Sequence, residues 1–169
     1  MFYIKSLVLF CVFLSSSYIG ILISKKYSNR VKELKNMKDA LNMFETKIKF
    51  TYASVPEIFE EISNKMEEDI GEIFKKASKK MTNISAGKAW TEAITETESN
   101  MNEEDKTILK GLGKLLGKTD VEGQISEIKL VSNFLDTQIE MAEKEKGKNE
   151  KMYKTLGGVI GLTIVIILI

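Results

Sequence analysis

The chain has 169 residues, enough for one modest domain, and its single Pro among 29% charged residues favours helices over a β-sandwich or barrel. It has no His, which excludes Ser-His-Asp and Cys-His nucleophile pairs and His-ligated zinc or haem. The one cysteine, Cys11, excludes a disulfide framework and a thiolate metal site. All acidic residues and all basic residues except Lys5 lie between Lys25 and Lys154, where the two signs balance. Nucleic-acid binders concentrate Lys and Arg, so we expect no nucleic acid, and also no cofactor, metal or small-molecule substrate.

The first apolar run extends from Ser6 to Ser24 and carries no charge. At about 1.5 Å per residue its nineteen residues span roughly 28 Å, the thickness of a bilayer core. We therefore predict a transmembrane anchor over residues 1–24. A cleaved signal peptide is the alternative, because Lys5 precedes the run and Ser15–Ser17 lie within it. Apolar residues resume after these serines and basic residues follow the run, which favours an anchor with the following chain in the cytoplasm.

The stretch 25–155 is predicted to form a cytoplasmic bundle of about six helices. Its apolar residues recur at helical spacing, and nothing alternates with a period of two. The predicted fold is therefore all-α, with the transmembrane helix at its N-terminus and an apolar tail at its C-terminus. Six starting points are predicted, several of them at capping residues: Ser28, Ser54, a segment around Ile70, Ser85, Asn102 and Thr119. The fifth helix is expected to bury residues as far as Leu116 and to stop at Gly117.

The sixth predicted helix runs without a break into an apolar tail, residues 156–169. Its predicted apolar stripe needs a protein partner and consists of Val121, Ile125, Ile128, Val131, Phe134, Leu135, Ile139 and Ala142. Five lysines precede the tail: Lys144, Lys146, Lys148, Lys151 and Lys154. They mark the cytoplasmic side of a membrane. Fourteen residues extend roughly 21 Å, so the tail either spans the bilayer thinly or ends within it.

Gly157 and Gly161 form a Gly-x-x-x-Gly pair in the tail. Such a pair lets two membrane helices approach closely, which makes these glycines candidate residues for membrane helix packing. Small residues are also common in apolar tails without that role, and both interpretations stay open.

Two patterns that suggest chemistry have simpler explanations. Gly117-Lys118-Thr119 has the ending of a phosphate-binding loop, but Gly113 leaves three residues before it and Gly111 leaves five, where the loop needs four. A helix stop followed by a cap explains the same residues. The Glu residues lie among lysines at solvent-facing spacings, which is typical of an exposed charged face. We therefore predict that the protein is not an enzyme, with no catalytic residues.

Over essentially its whole length the chain resembles the stage III sporulation protein AB family of endospore-forming bacteria. The resemblance rests on Lys148-Asn149-Glu150-Lys151-Met152, Lys154, Leu156-Gly157 and the tail; on Phe44-Glu45-Thr46, Ile48, Tyr52 and Pro56; on Ala89-Trp90; and on Leu109-Lys110, Gly113, Leu116-Gly117 and Asp120. The sequence departs from the family in two places. Val31 follows Arg30 where Pro is usual, which leaves open whether the membrane helix continues into the next. Lys47 stands where an acidic residue is usual.

The resemblance implies a function that the spacing of residues does not. The family's helical domain is similar to those of the inner-membrane platform proteins of type II secretion and type IV pilus systems, which connect a cytoplasmic ATPase to a membrane machine. It implies a non-enzymatic platform or scaffold subunit of the channel assembly in the mother-cell membrane facing the forespore. The implied partners are the membrane, the ATPase called stage III sporulation protein AA, and other proteins of the assembly; a homo-oligomer is left open. The alternatives are a membrane-anchored adaptor or chaperone-like module that binds a client protein, and a membrane-bound enzyme that uses carboxylates.

Overall fold

The computed structural model describes residues 2–51 and 53–168. Tyr52, one of the residues that carry the resemblance, and Ile169, the last residue of the tail, lie outside the described residues. The described residues form six α-helices and no strand, so the all-α prediction is confirmed. The helices are α1 Phe2–Phe50, α2 Val55–Lys65, α3 Glu68–Lys80, α4 Ala86–Glu96, α5 Glu103–Leu112 and α6 Val121–Leu168.

Helix α1 is one continuous helix of 49 residues. The sequence predicted a separate helix from Ser28, and the structure shows that the apolar run continues into it. Pro lacks an N–H group and its ring clashes with the preceding turn, so a Pro after Arg30 would break or kink a helix there. Val31 keeps the N–H group, and the helix runs on.

The chain divides into two compact units, to both of which α1 and α6 contribute. One unit consists of Met1–Val31 with Met141–Ile169, and the other of Lys32–Glu140. The second unit is the helical bundle, and α2, α3, α4 and α5 pack in sequence within it.

The core of the bundle is built around four aromatic rings from four different helices. Phe59 of α2 lies at its centre, with ring centroids 5.1 Å from Phe44, 4.9 Å from Phe74 and 5.5 Å from Trp90. The rings meet edge to face, an arrangement that contributes about 0.5–1.5 kcal/mol per pair beyond the area they bury. The indole N–H of Trp90 donates to the carbonyl oxygen of Leu109 at 2.7 Å, which ties α4 to α5.

Helix α5 ends earlier than the sequence predicted, at Leu112 rather than Leu116. The backbone of Gly113 lies against Gly87 of α4: a Cβ built on Gly87 would be 1.9 Å from the Gly113 carbonyl oxygen. After this contact the chain makes tight turns in which the Lys114 N–H donates to Gly111 and the Lys118 N–H donates to Leu115. Gly117 does end this segment, with φ 72°, a conformation that glycine adopts without strain.

The start of α6 differs from the predicted cap by one residue. Asp120, not Thr119, caps the helix, because its Oδ1 accepts from the N–H of Gly123 at 2.9 Å. The caps predicted at Ser54 and Asn102 are present as capping boxes, whereas Ser85 precedes α4 without a side-chain hydrogen bond to it. Asn102 accepts from the Asp105 N–H at 2.8 Å and donates its own N–H to Asp105 at 2.9 Å, and the Ser54 N–H donates to Glu57 at 2.8 Å.

The apolar stripe of α6 is rotated from the predicted one. Val121 and Phe134 were expected to be inward but are 46% and 51% exposed. The buried positions follow alternating four- and three-residue steps: Gln124, Ile128, Val131, Leu135, Gln138 and Ala142. Gln124 and Gln138 are therefore buried, whereas the neighbouring Ile125 and Ile139 of the predicted stripe are only partly buried. Gln124 is held by the turn before the helix, since its Nε2 donates to the Thr119 carbonyl at 3.2 Å.

Candidate membrane-attachment site

The N-terminal part of α1 is apolar on all sides and is not buried. Among the described residues, α1 is the helix long and apolar enough to cross a membrane; its most apolar 18-residue window has a mean hydropathy of 2.2 and is 11% buried. Large apolar side chains such as Leu7, Phe10 and Tyr18 are exposed along it. A long helix that leaves most of its apolar side chains exposed fits a membrane anchor.

The last part of α6 lies antiparallel to this segment within the same unit. The closest approach is between Gly20 and Gly157, where a Cβ on Gly20 would lie 2.6 Å from the Tyr153 carbonyl oxygen and 2.9 Å from the Gly157 Cα. A Cβ on Gly157 would in turn lie 2.9 Å from the Ser16 carbonyl oxygen and 3.0 Å from the Gly20 Cα. The obstructing atoms are backbone atoms, so only glycine allows this spacing.

Gly161 lies one turn further along α6 and faces the same helix. A Cβ built there would be 3.2 Å from the Ser16 Cβ and 3.0 Å from a ring carbon of Phe13. The Ser16 hydroxyl donates to the Gly157 carbonyl oxygen at 2.8 Å. The structure thus brings both glycines singled out in the sequence to one face, and Gly158, between them, has no atom within 4 Å of its Cβ position.

Sequence reasoning missed the other half of this contact. Ser16 and Gly20 are spaced four residues apart in the first apolar run, as Gly157 and Gly161 are in the tail. That spacing of small residues is a signal for helix packing in membranes, and it could have been found by comparing the two apolar segments with each other.

Polar and aromatic contacts join the two segments beyond their apolar parts. The rings of Tyr27 and Tyr153 stack, with centroids 5.8 Å apart and planes 14° apart. One turn further from the apolar segments, Arg30 Nη1 lies 2.6 Å from Glu145 Oε2, and the Arg30 side chain is buried. The predicted basic cluster lies in this region of α6, and four of its five lysines are exposed: Lys144, Lys148, Lys151 and Lys154.

The carboxylates buried in the bundle have structural partners. Asp105 caps α5 through Asn102. Glu33 of α1 holds the loop between α4 and α5: its Oε2 accepts from the Asn100 backbone N–H at 2.7 Å, and its Oε1 accepts from Asn100 Nδ2. Burial raises the pKa of the Glu33 carboxyl, and the hydrogen bonds from Asn100 oppose that rise. In the part of the chain that the structure describes, no three acidic or cysteine side chains are grouped so as to hold a metal ion.

Several of the residues that carry the resemblance have packing roles. Trp90 bonds to Leu109, and Gly113 contacts Gly87. Lys47 stands where the family pattern has an acidic residue, and its Nζ lies 2.5 Å from Glu61 Oε2 of α2. The positive charge at this position is therefore matched by a carboxylate on the neighbouring helix.

A helical bundle together with an exposed apolar N-terminal helix is typical of membrane-anchored all-α proteins. The chain belongs to the family described as Stage III sporulation protein AB, whose family model matches residues 5–169. It is therefore a sporulation protein. The resemblance stated from the sequence is confirmed.

Two relatives support this assignment. The chain is 24% identical over 161 residues to Stage III sporulation protein AB of Bacillus subtilis (strain 168), which covers 93% of this chain and 94% of that protein. A solved structure of a Stage III sporulation protein AB superposes with a TM-score of 0.65 at 22% identity, covering 71% of this chain and 98% of the solved chain. The structural likeness supports the fold.

Proposed function

We propose that the protein is a non-enzymatic platform subunit of the sporulation channel assembly, held at the membrane by both of its apolar segments. The observation that carries this proposal is the close pairing of those segments in one unit, at Gly20 and Gly157. A protein held at both ends is suited to present a bundle at a membrane surface. On this proposal the chain has three parts: an anchor over residues 1–24, a bundle domain over 25–155 and a membrane-inserting tail over 156–169.

The bundle lies on the cytoplasmic side of the mother-cell membrane that faces the forespore. Lys25 and Lys26 follow the first apolar segment, and the exposed lysine cluster precedes the second. Positive charge next to a membrane helix favours the cytoplasmic side of that helix. Both flanks give the same orientation, which supports the proposal.

The buried polar chemistry favours a scaffold over an enzyme. Glu33 and Asp105 are the acidic residues buried within the described bundle, and each makes hydrogen bonds that hold a loop or a helix end. A general acid or base needs a face open to its substrate. These two carboxylates instead accept hydrogen bonds from the backbone and, for Glu33, also from the Asn100 side chain.

The partner of the platform is a cytoplasmic ATPase, stage III sporulation protein AA, as the family's similarity to secretion platform proteins suggests. The test uses the full-length chain, tagged and extracted in mild detergent from membranes of sporulating cells. We expect the ATPase to remain bound through purification. A well-folded chain that retains none of it would contradict the docking proposal and leave the adaptor function as the better explanation.

An adaptor that binds a client protein is the second candidate, favoured by one observation. Leu130 and Phe134 lie one turn apart on α6 and are 48% and 51% exposed. Exposed apolar side chains on a single face are typical of protein-binding surfaces. The double change Leu130→Ser and Phe134→Ser separates the two functions.

If the protein is a platform with a polar docking face, cells that carry the double variant should sporulate at nearly the normal efficiency. Surface changes shift the free energy of unfolding by only about 0.5 kcal/mol. An adaptor should lose most of its function. Asn133→Ser, an exposed change on the same helix, serves as the matched control. Loss of sporulation in the double variant alone, with the ATPase still bound, would favour the adaptor.

A further inference from the structure

We propose that the outer face of α6, directly before the apolar tail, binds an anionic phospholipid, with Lys148 and Lys151 on the phosphate and apolar side chains along the acyl chain. This inference rests on the membrane attachment proposed above and goes beyond it, because attachment by apolar segments requires no particular lipid. The site lies wholly within the unit formed by Met1–Val31 and Met141–Ile169, which we call the terminal unit.

The overall charge of +1 conceals a separation of charge between the two units. The terminal unit has nine basic and three acidic residues, a net charge of +6. The bundle, Lys32–Glu140, has 16 basic and 21 acidic residues, a net charge of −5. A membrane surface that contains anionic lipids attracts basic segments next to it. The terminal unit carries both apolar segments, and its charge has the sign that an anionic lipid requires.

Six lysines of the terminal unit lack a partner in the part of the chain that the structure describes. Arg30 pairs with Glu145 at 2.6 Å, and Lys154 pairs with Glu150 at 2.7 Å. Neither an ion pair nor a hydrogen bond within the described residues engages the side chains of Lys25, Lys26, Lys144, Lys146, Lys148 and Lys151. In the bundle, by contrast, many lysines pair with carboxylates, among them Lys32, Lys38, Lys47, Lys80 and Lys129. The charge of the terminal unit is therefore left for an external anion.

Three of these unpaired lysines form a stripe on one face of α6. Lys144, Lys148 and Lys151 follow steps of four and three residues, so their side chains project in nearly the same direction. All three are exposed. At 3.6 residues per turn they lie roughly opposite Tyr153 and Gly157, the residues that contact α1. The stripe thus faces outward, where a lipid has access to it.

A groove of about 420 Å³ runs along this face and joins the lysine stripe to the tail. It is lined at its polar end by Gly147, Lys148 and Lys151, and at its apolar end by Met152, Leu156 and Val159. At about 1.5 Å per residue, Lys151 and Val159 are roughly 12 Å apart along the helix. A phospholipid has the same order of charged and apolar parts. A soluble anion would use the lysines alone and leave the apolar end uncovered.

The groove selects the charge of the lipid and not the structure of its headgroup. The hydroxyl of Thr155, which also lines the groove, donates to the Lys151 carbonyl oxygen at 3.0 Å and so has no proton left for a headgroup. The remaining donors are the lysine ammonium groups, which act as compact point charges without a fixed geometry. We therefore expect preference for anionic over zwitterionic lipids.

Two tyrosines place the lysines at the depth of the lipid phosphates. The rings of Tyr27 and Tyr153 stack with centroids 5.8 Å apart, and tyrosines are enriched where a membrane meets water. Lys151 and Lys148 precede Tyr153 by two and five residues, or roughly 3 Å and 8 Å along the helix. The apolar end of the groove begins on the other side of the tyrosine, with Leu156.

Mass spectrometry of intact lipid complexes tests the site in the full-length chain. The chain is purified in an uncharged detergent and titrated with phosphatidylglycerol or phosphatidylcholine. We expect it to bind phosphatidylglycerol more tightly. The double change Lys148→Gln and Lys151→Gln should weaken that binding at least about tenfold, because each lysine near an anionic lipid contributes roughly a fivefold gain in affinity. Binding of phosphatidylcholine should not change.

The matched control is the double change Lys25→Gln and Lys26→Gln. Both lysines are exposed and belong to the same unit, but neither lines the groove. The control removes the same charge and should weaken phosphatidylglycerol binding far less. Equal weakening in the two double variants would show that the general charge of the unit attracts the lipid, and would overturn the site.

Two further outcomes decide what occupies the groove. Glycerol phosphate in large excess should not displace phosphatidylglycerol, since it has no acyl chain; displacement would show a site for soluble anions and overturn the lipid site. An acidic protein segment is the other occupant that the lysines could attract. Loss of sporulation in the Lys148→Gln, Lys151→Gln variant with unchanged phosphatidylglycerol binding would identify such a segment and contradict the proposal.

Lipid selection and membrane attachment fail separately. A chain that resists alkaline extraction from membranes but binds phosphatidylglycerol no better than phosphatidylcholine overturns this inference and leaves the attachment intact. Release of the unmodified chain by alkaline extraction overturns the attachment and, with it, the lipid site. Both double variants should stay in the membrane fraction, because the substituted side chains are exposed and unpaired.

Discussion

Glu33 illustrates how a single charged residue can hold a loop from inside a bundle. Its side chain is 3% exposed, and both of its oxygens accept hydrogen bonds from Asn100. Burial raises the pKa of its carboxyl, with a smaller contribution in the same direction from Asp69, while the bonds from Asn100 and Met101 lower it. The loop is thus held by a group whose charge is costly to bury.

The free energy of unfolding should depend on pH through Glu33. The folded chain binds this proton more tightly than the unfolded chain, so the stabilisation is fully present below the unfolded pKa and is lost as the pH rises through the folded pKa. Wild type should therefore lose stability relative to Glu33→Gln as the pH rises from the ordinary carboxyl pKa through the raised folded pKa of Glu33. Urea denaturation of the purified chain in detergent measures the difference. A wild type that gains stability relative to Glu33→Gln as the pH rises would contradict the assignment.

Gly87 should tolerate no side chain. A Cβ there would lie 1.9 Å from the Gly113 carbonyl oxygen, a backbone atom that moves only if α4 and α5 separate. We expect Gly87→Ala to destabilise the bundle by about 1–3 kcal/mol, more than the gain in helix propensity can offset. Gly111→Ala in α5 is the control, because its Cβ position is open and Ala should stabilise the helix by about 0.5–1 kcal/mol. Equal effects in the two variants would refute the steric argument.

At the scale of helices, α1 and α6 are joined by ion pairs on both sides of the unit boundary. Lys38 pairs with Asp136 in the bundle, and Arg30 pairs with Glu145 in the other unit. The two pairs differ in burial, since the Arg30 side chain is 8% exposed and that of Lys38 is 31% exposed. Removing the partner of a buried charge costs far more than removing the partner of an exposed one.

Glu145→Gln should accordingly weaken the pairing of the two terminal segments. The change leaves the buried Arg30 guanidinium without one charged partner, and we expect a loss of about 1–3 kcal/mol. Glu150→Gln on the same helix removes an ion pair with the half-exposed Lys154 and should cost less than about 0.5 kcal/mol. Protease susceptibility of the 141–155 segment in membranes distinguishes the two variants. Similar digestion of both would contradict the role of Arg30.

The starts of α2, α4 and α5 were predictable from the sequence, whereas the continuation of α1 through Ser28, the end of α5 and the phase of α6 were not. The residue before α4 is Ser85, as the pattern predicted, and Asn102 caps α5, because capping involves residues three positions apart. The end of α5 depends on the contact of Gly113 with Gly87, 26 residues away along the chain. The phase of α6 depends on which of two neighbouring faces packs inward, and counting apolar residues placed Phe134 on the wrong one.

At the scale of the molecule, the helix α6 is the feature that connects a cytoplasmic bundle to the membrane in the function proposed here. It is unbroken over 48 residues, Val121–Leu168. The sequence predicted this continuity from the absence of Pro and of a turn between Thr119 and the tail. It did not identify the partner of the tail, since that requires matching the small-residue spacing of the tail with the spacing of Ser16 and Gly20 in the distant first apolar run.

Continuity of α6 should be required for function. A flexible Gly-Ser segment inserted after Thr155 breaks α6 within the Met141–Ile169 segment, directly before the apolar tail. If movement of a bound partner is transmitted along α6, sporulation efficiency should fall sharply while the protein level stays normal. The control inserts the same segment between Thr82 and Asn83, in the turn that follows α3. Full efficiency of the first variant would refute transmission through the helix.

Trp90 is the chain's single tryptophan, and it lies in the bundle's aromatic core with no exposed surface. Its neighbours are Phe59 and Phe74, and its indole N–H is bonded to a backbone carbonyl. Tryptophan fluorescence will therefore come from the Lys32–Glu140 unit alone. The opening of that unit can be followed optically, with no label and no signal from the unit that consists of Met1–Val31 and Met141–Ile169.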